Sequence, residues 1–240
     1  MLKTLRTKLS NKTKRDAFVK GELARVPNQA KLLDAGCGSQ QYRPLCAHLR
    51  YFGQDFAQYK KDSTDGFTSG LGGADGYRYG ALDYVGDIWE IKAPDASFDA
   101  ILCTEVFEHI PYPIQTLAEF GRLIRPGGRL ILTVPSNCLR HMDPYFFYSG
   151  FSNRFLEKFL ADAGFRVDLL EPVGDYYSWI AVELMRTMRQ HSWLTIPFLL
   201  PAFAWFFSRR PTPASRNTLC MGYHIVAMRE GSPKATPATV

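Results

Sequence analysis

Leu32-Leu33-Asp34-Ala35-Gly36-Cys37-Gly38-Ser39 is an apolar run that ends in an acid and then two glycines one residue apart. A strand, a tight turn and a helix start are expected from it. The turn lets backbone approach a ligand closely, beside a carboxylate at the strand end. That chemistry suits a nucleotide-type cofactor. Asp55 follows Asp34 by 21 positions, the spacing at which an acid accepts hydrogen bonds from ribose hydroxyls. Gln41 stands where a dinucleotide turn places its third glycine, which disfavours a pyrophosphate and so NAD or FAD. Asp87, followed by Ile88 and Trp89, can accept from an adenine amino group under apolar cover, or can cap a helix. Glu105, Val106 and His109 follow a fourth apolar run. His109 has the near-neutral pKa of a general base, or is a structural histidine bonded to backbone or cofactor. His141 and Asp143 follow a fifth run and face an acceptor, or form a turn before Pro144.

These residues need elements to bring them together. Apolar runs at 31–35, 50–55, 83–88, 98–103, 129–134, 165–170 and 223–228 are predicted strands. Helical patterns cover 13–26, 41–50, 113–125, 152–163 and 178–190, and residues 62–80 form a long loop rich in Gly, Asp and Ser. The alternation predicts an α/β fold, a doubly wound, mostly parallel sheet with helices on both faces. Ligands of such sheets sit beyond the carboxyl ends of the strands, where Asp34 to Gly38, Asp55, Asp87 and Glu105 all fall.

A chain of 240 residues holds one sizeable core. Its five cysteines include no C-x-x-C pair, which argues against a disulfide scaffold or structural zinc and for a reducing cytoplasm; no metal is expected. The net charge is +6, much of it in Lys3, Arg6, Lys8, Lys12, Lys14, Arg15 and Lys20. Residues 1–30 therefore read as a basic helical leader, solvated or turned to an anionic partner. No apolar signal-peptide region precedes it, so secretion is not expected. Residues 193–207 are almost wholly apolar, but too short for a membrane span and broken by Pro197 and Pro201. With Arg209 and Arg210 just beyond, they fit an interfacial anchor or a lid packed on the sheet.

Taken in order, Leu33 to Gly38, Tyr51-Phe52-Gly53-Gln54-Asp55, Gly86-Asp87-Ile88, Ser97 to Ile110 and Arg125-Pro126-Gly127-Gly128 form one set. The set resembles the class I S-adenosylmethionine-dependent methyltransferases, in particular the type 11-like group of quinone- and glycan-modifying small-molecule enzymes. The resemblance implies a Rossmann-like sheet of seven strands whose last strand, 223–228, is antiparallel, and S-adenosyl-L-methionine as cofactor. It places Asp34, Gly36, Cys37 and Gly38 along the methionine part, Asp55 with Phe56 at the ribose, Asp87 with Ile88 at the adenine end, and Glu105-Val106 beside the sulfonium. The domain is expected over 31–230, with an acceptor-side or interfacial insertion at 176–220 and a flexible tail at 231–240. Residues between Asp55 and Asp87 then cover the site or the substrate. Asp143-Pro144-Tyr145-Phe146 is similar to the motif of nucleic-acid and protein amino methyltransferases, but it follows the wrong strand and lacks a proline, so no nucleic-acid partner is expected.

A sulfonium methyl is already activated, so such a protein must align a nucleophile and exclude water. Tyr145, Phe146, Phe147, Tyr148, Phe151, Tyr176, Tyr177 and Trp179 suit sugars, flat rings or isoprenoid chains, or are core packing. The expected activity is O-methylation of a small or lipid-linked acceptor, such as a cell-envelope glycan intermediate. A quinone-type aromatic acceptor is the alternative, and a non-catalytic membrane-associated binding module on the same fold is another. The expected location is cytoplasmic, with peripheral contact at the inner face of the membrane through 193–207.

Overall fold

The apolar runs become the strands of one sheet in the computed structural model, which describes residues 9–59, 78–190 and 193–231. Most of the glycine-rich loop, the cations Lys3, Arg6 and Lys8, and the tail from 232 lie outside the described residues. The strands are β1 (Lys31–Ala35), β2 (Arg50–Asp55), β3 (Tyr84–Val85), β4 (Phe98–Thr104), β5 (Ile124–Pro135), β6 (Phe165–Val173) and β7 (Gly222–Arg229). Their order is β3-β2-β1-β4-β5-β7-β6. β7 runs antiparallel to both β5 and β6, and the other pairings are parallel. This is the expected architecture. Leu32, Leu33, Ile101, Leu102, Leu130, Ile131 and Leu132 are fully buried, because central parallel strands are covered on both faces.

Three elements differ from expectation. Residues 41–50 form only a 3-10 turn, Arg43–Cys46, with Pro44 in its first turn. The third strand is two residues long, so Asp87 sits in the loop beyond it. Pro126-Gly127-Gly128 falls inside β5, where the pairing with β4 shifts register between Phe98 and Ala100, and Gly127 takes φ +77°. That bulge turns the chain without ending the strand.

The helices are α1 (Asn11–Leu23), α2 (Pro113–Leu123), α3 (Asn153–Asp162), α4 (Tyr176–Gln190), α5 (Ile196–Ser208) and α6 (Pro213–Thr218). Over Asn11–Leu23 the basic stretch is a helix, α1, and it is not solvated on every side. It packs on β5 and β7 with Val19 and Leu23 fully buried, each worth about 1.5–3 kcal/mol of apolar burial. Lys12 keeps to the surface in an i,i+4 pair with Asp16. Phe18 stacks on His224 of β7 at 4.4 Å between ring centroids.

Burial, with the charges of Arg15 and Lys14, lowers the His224 pKa from an ordinary 6.5 to about 4. The unfolded chain takes up this proton below about pH 6.5 and the folded chain does not. Stability is therefore lost as pH falls from 6.5 toward 4. In His224→Phe, which keeps the stack, that loss should be smaller in denaturant melts; equal losses would reject the assignment.

α5 was read as either a lid or an interfacial segment. The structure does not pack it on the sheet. None of its residues is buried, and its partner is α4, through Trp205 and Phe206 against Tyr176 and Tyr177. α6 is tied back by the buried Asp175, which accepts from the Ser178 N–H and hydroxyl and from the Ser215 hydroxyl. No helix among the described residues is long and apolar enough to cross a membrane.

Candidate active site

The carboxyl ends of β1, β2 and β4 open into a cavity of about 710 Å³. Its floor is the glycine turn. Gly36 and Gly38 have φ of +71° and +50°, the left-handed region that favours glycine. The Gly36 and Cys37 N–H groups both donate to the Gln54 carbonyl at 2.9 Å. A Cβ added at Gly36 would lie 2.6 Å from Val106 Cγ2, so β1 and β4 close up here only around a glycine.

Two buried carboxylates stand above this turn. Asp34 accepts from the Tyr51 hydroxyl at 2.7 Å. Burial pushes its pKa up to about 7, the Asp55 charge adds to that, and the Tyr51 bond opposes it. Asp55 accepts from the Gly38 N–H at 2.9 Å and the Ala57 N–H at 3.1 Å, and burial raises its pKa against those bonds. Two acids held in low dielectric favour a cationic ligand.

Arg15 of α1 reaches the same cavity, its Nη1 3.2 Å from Glu105 Oε2. The Arg15 Nε is buried and has no hydrogen-bond partner among the described residues. Glu105 is held firmly: Thr133 Oγ1 donates to its Oε1 at 3.0 Å, and its backbone takes φ +51°. A non-glycine residue in that region marks strain maintained by its surroundings.

The other wall follows β4 and β5. His109 Nδ1 lies 2.7 Å from the Tyr145 carbonyl, and His141 Nδ1 lies 2.8 Å from the Leu139 carbonyl. The two rings meet edge to face at 4.7 Å. His109 Nε2 is 3.7 Å from Glu108 Oε1. Glu108 is 2 % exposed, and its Oε2 is buried without a hydrogen-bond partner among the described residues. Burial, then the Glu105 charge, raises its pKa well above the usual carboxylate range. The potential ligand atoms of Glu108, His109 and His141 lie within 4.8 Å of one another. Tyr145 packs edge-on to Phe56 at 4.8 Å and adds an aromatic wall.

Asp34, Gly36, Cys37, Gly38, Asp55, Phe56, Asp87, Ile88, Glu105, Val106, His109 and His141 thus line one cavity. Asp143 is not in the lining; its carboxylate is paired with Arg140 at 2.9 Å. The loop 136–151 contributes Cys138, Met142, Tyr145 and Phe147, and none of the described residues of 176–220 lines the cavity. Arg15 and Glu108 were missed. Glu108 sits one residue from a singled-out histidine, but Arg15 has no local signal that separates it from its basic neighbours.

The geometry agrees with what known proteins show. Residues 33–132 match a family model described as a methyltransferase domain. A ubiquinone biosynthesis O-methyltransferase from Xylella fastidiosa is 31 % identical over 120 residues, 48 % of this chain and 46 % of that protein. A malonyl-[acyl-carrier protein] O-methyltransferase from Paenibacillus is 28 % identical over 109 residues, 44 % of this chain and 38 % of that one. The chain spans less than half the length of either relative. Among solved structures, a candidate sarcosine dimethylglycine methyltransferase from Galdieria sulphuraria superposes with a TM-score of 0.56 at 16 % identity, over 91 % of this chain and 86 % of that one. Residues 33–132 thus match a methyltransferase domain, and the chain has the fold of the class I S-adenosylmethionine-dependent methyltransferases.

The residues present fit that cofactor. It carries two cationic centres and a carboxylate, and the cavity offers buried acids for the first and, for the second, an arginine donor with no partner among the described residues.

Proposed function

We propose that this chain methylates a hydroxyl oxygen of a lipid-linked acceptor, such as a cell-envelope glycan intermediate, using S-adenosylmethionine. The observation that carries the donor half is the convergence of Asp34, Gly36, Asp55, Glu105 and Arg15 on one cavity. Asp34 and Arg15 hold the amino-acid end of the cofactor, by its ammonium and carboxylate. Asp55 accepts from the ribose hydroxyls through lone pairs that Gly38 and Ala57 leave over, with Phe56 beside it. Asp87 and Ile88 receive the adenine, and Glu105-Val106 border the sulfonium. Bound there, the cofactor supplies a methyl carbon whose bond to sulfur breaks with the electron pair staying on sulfur. The acceptor hydroxyl would lie on the His109–His141 side of the cavity and would give up its proton to water there. His109 Nδ1 must donate to the Tyr145 carbonyl, which only accepts, so the ring's lone pair is on Nε2. Asp143 steadies this loop through Arg140.

Oxygen as the acceptor atom is supported by the names of both relatives, each an O-methyltransferase. The lipid half rests on α5 and the turn Trp193–Thr195 before it. Phe198 is 82 % exposed and Trp193 75 %, with Leu194 and Leu200 also exposed. The Arg209 guanidinium lies 4.0 Å over the Trp205 ring. Arg209 and Arg210 directly follow α5, cations placed to meet an anionic bilayer surface. The quinone reading keeps one specific support, the ubiquinone relative.

Purified protein with methyl-labelled cofactor should transfer one methyl to a component of the envelope glycan-lipid fraction, seen by mass spectrometry. Transfer only to quinone precursors would replace the acceptor, and no transfer to either would reject the reading. In flotation with anionic vesicles, Phe198→Asp with Leu194→Asp should move most of the protein from the floating to the soluble fraction. Flotation equal to wild type would remove the membrane from the reading.

A further inference from the structure

Glu108, His109 and His141 sit together in the acceptor-side wall, and the donor site uses none of them. They come from two segments, the turn after β4 and the loop after β5, that meet only in the fold. We propose that these three side chains bind one divalent metal ion of the zinc, iron(II) or manganese type.

Three independent features carry this. Both histidines direct Nδ1 to a main-chain carbonyl, Tyr145 for His109 and Leu139 for His141. A carbonyl only accepts, so each proton is fixed on Nδ1 and each lone pair on Nε2, the outer bond that orients a ligating imidazole. Secondly, Glu108 Oε2 is buried without a hydrogen-bond partner among the described residues, a cost that a cation offsets. Thirdly, one potential ligand atom from each of the three side chains lies within 4.8 Å of the others. An ion holds such ligand atoms at about 2.1 Å, and the partly exposed His141 can approach it from its loop.

Two imidazoles and one carboxylate leave positions open on a borderline metal. They open into the same cavity as the methyl donor. An acceptor hydroxyl in such a position becomes more acidic. Its proton passes to solvent water and its oxygen keeps the electron pair that attacks the methyl carbon. This use rests on the methyl-transfer reading; the binding of the ion does not.

The test is calorimetric titration of chelator-treated full-length protein with zinc chloride, and cobalt(II) chloride titration followed by visible absorption. One ion per chain is expected, with cobalt bands of a nitrogen- and oxygen-ligated site. His141→Ala and Glu108→Gln should each weaken zinc at least about tenfold. His141→Ala should bind S-adenosylmethionine with wild-type affinity, which shows that the fold is intact. Substoichiometric binding, or zinc affinity in His141→Ala equal to wild type, overturns the site. Zinc bound at one per chain with no methyl transfer to any acceptor fraction would keep the site and sink the function. Undiminished turnover after chelation would keep the function and sink the metal's part in it.

Discussion

Arg15→Ala should weaken S-adenosylmethionine binding by about thirty- to a hundredfold, or about 2–3 kcal/mol, while the protein melts as a folded domain. The argument is local. Among the described residues, Arg15 pairs with Glu105, interacts with Tyr42 and keeps one buried donor, Nε, with no hydrogen-bond partner. A buried donor left unpaired carries a standing cost. A carboxylate that satisfies it therefore gains both the charge-assisted bond and the removal of that cost. One effect runs the other way. Glu105, released from its ion pair, attracts the sulfonium more strongly. Its side chain is 22 % exposed and keeps the Thr133 bond, so this gain stays under about 1 kcal/mol and does not reverse the loss. Arg15→Lys keeps a charge but loses the planar fork and should fall between the two. Calorimetric titration measures all three proteins. An unchanged dissociation constant in Arg15→Ala would remove α1 from the donor site.

Arg15 also marks what was hidden in the sequence. The sheet was legible because its central strands are apolar runs ending in acids or glycines, and those ends must share one edge of a doubly wound sheet. The glycine turn was legible because only glycine fits where Val106 closes on Gly36. The place of α1 was not, since its basic residues look solvated until Val19, Leu23 and Phe18 find β5 and β7. Glu108 was passed over because its meaning lies in burial and in His141, 33 positions away. α5 shows a third kind of limit: an apolar run has the same sequence whether it covers a sheet or stands clear of one. The structure decided against the sheet, and Arg209 and Arg210 directly after the run supplied the argument for a lipid surface.

Cofactor affinity should rise about tenfold per pH unit up to about pH 7 and then level off. Asp34 has its pKa raised from an ordinary 3.8 to about 7 by burial, with help from the Asp55 charge. Below pH 7 the empty cavity therefore holds a protonated Asp34, and an ammonium beside it favours the ionised form. Each cofactor bound must then displace one proton, and the slope follows from that exchange. The ligand's own α-ammonium stays charged throughout this window, because such groups titrate near pH 8. Stability moves in the opposite sense: the contribution of a raised carboxyl is complete below about pH 3.8 and is lost as pH rises through about 7. His224 loses stability toward acid over much of the same range, so melting temperature alone blends the two and affinity separates them. In Asp34→Asn the slope should vanish and affinity above pH 7 should drop. Calorimetry in buffers of different ionisation enthalpy should find about one proton released per cofactor at pH 6 in wild type and none in the variant. A flat affinity profile in wild type, or an equal slope in Asp34→Asn, would show that Asp34 does not meet the ammonium. The raised pKa would then be only the cost of closing β1 and β2 over a buried acid.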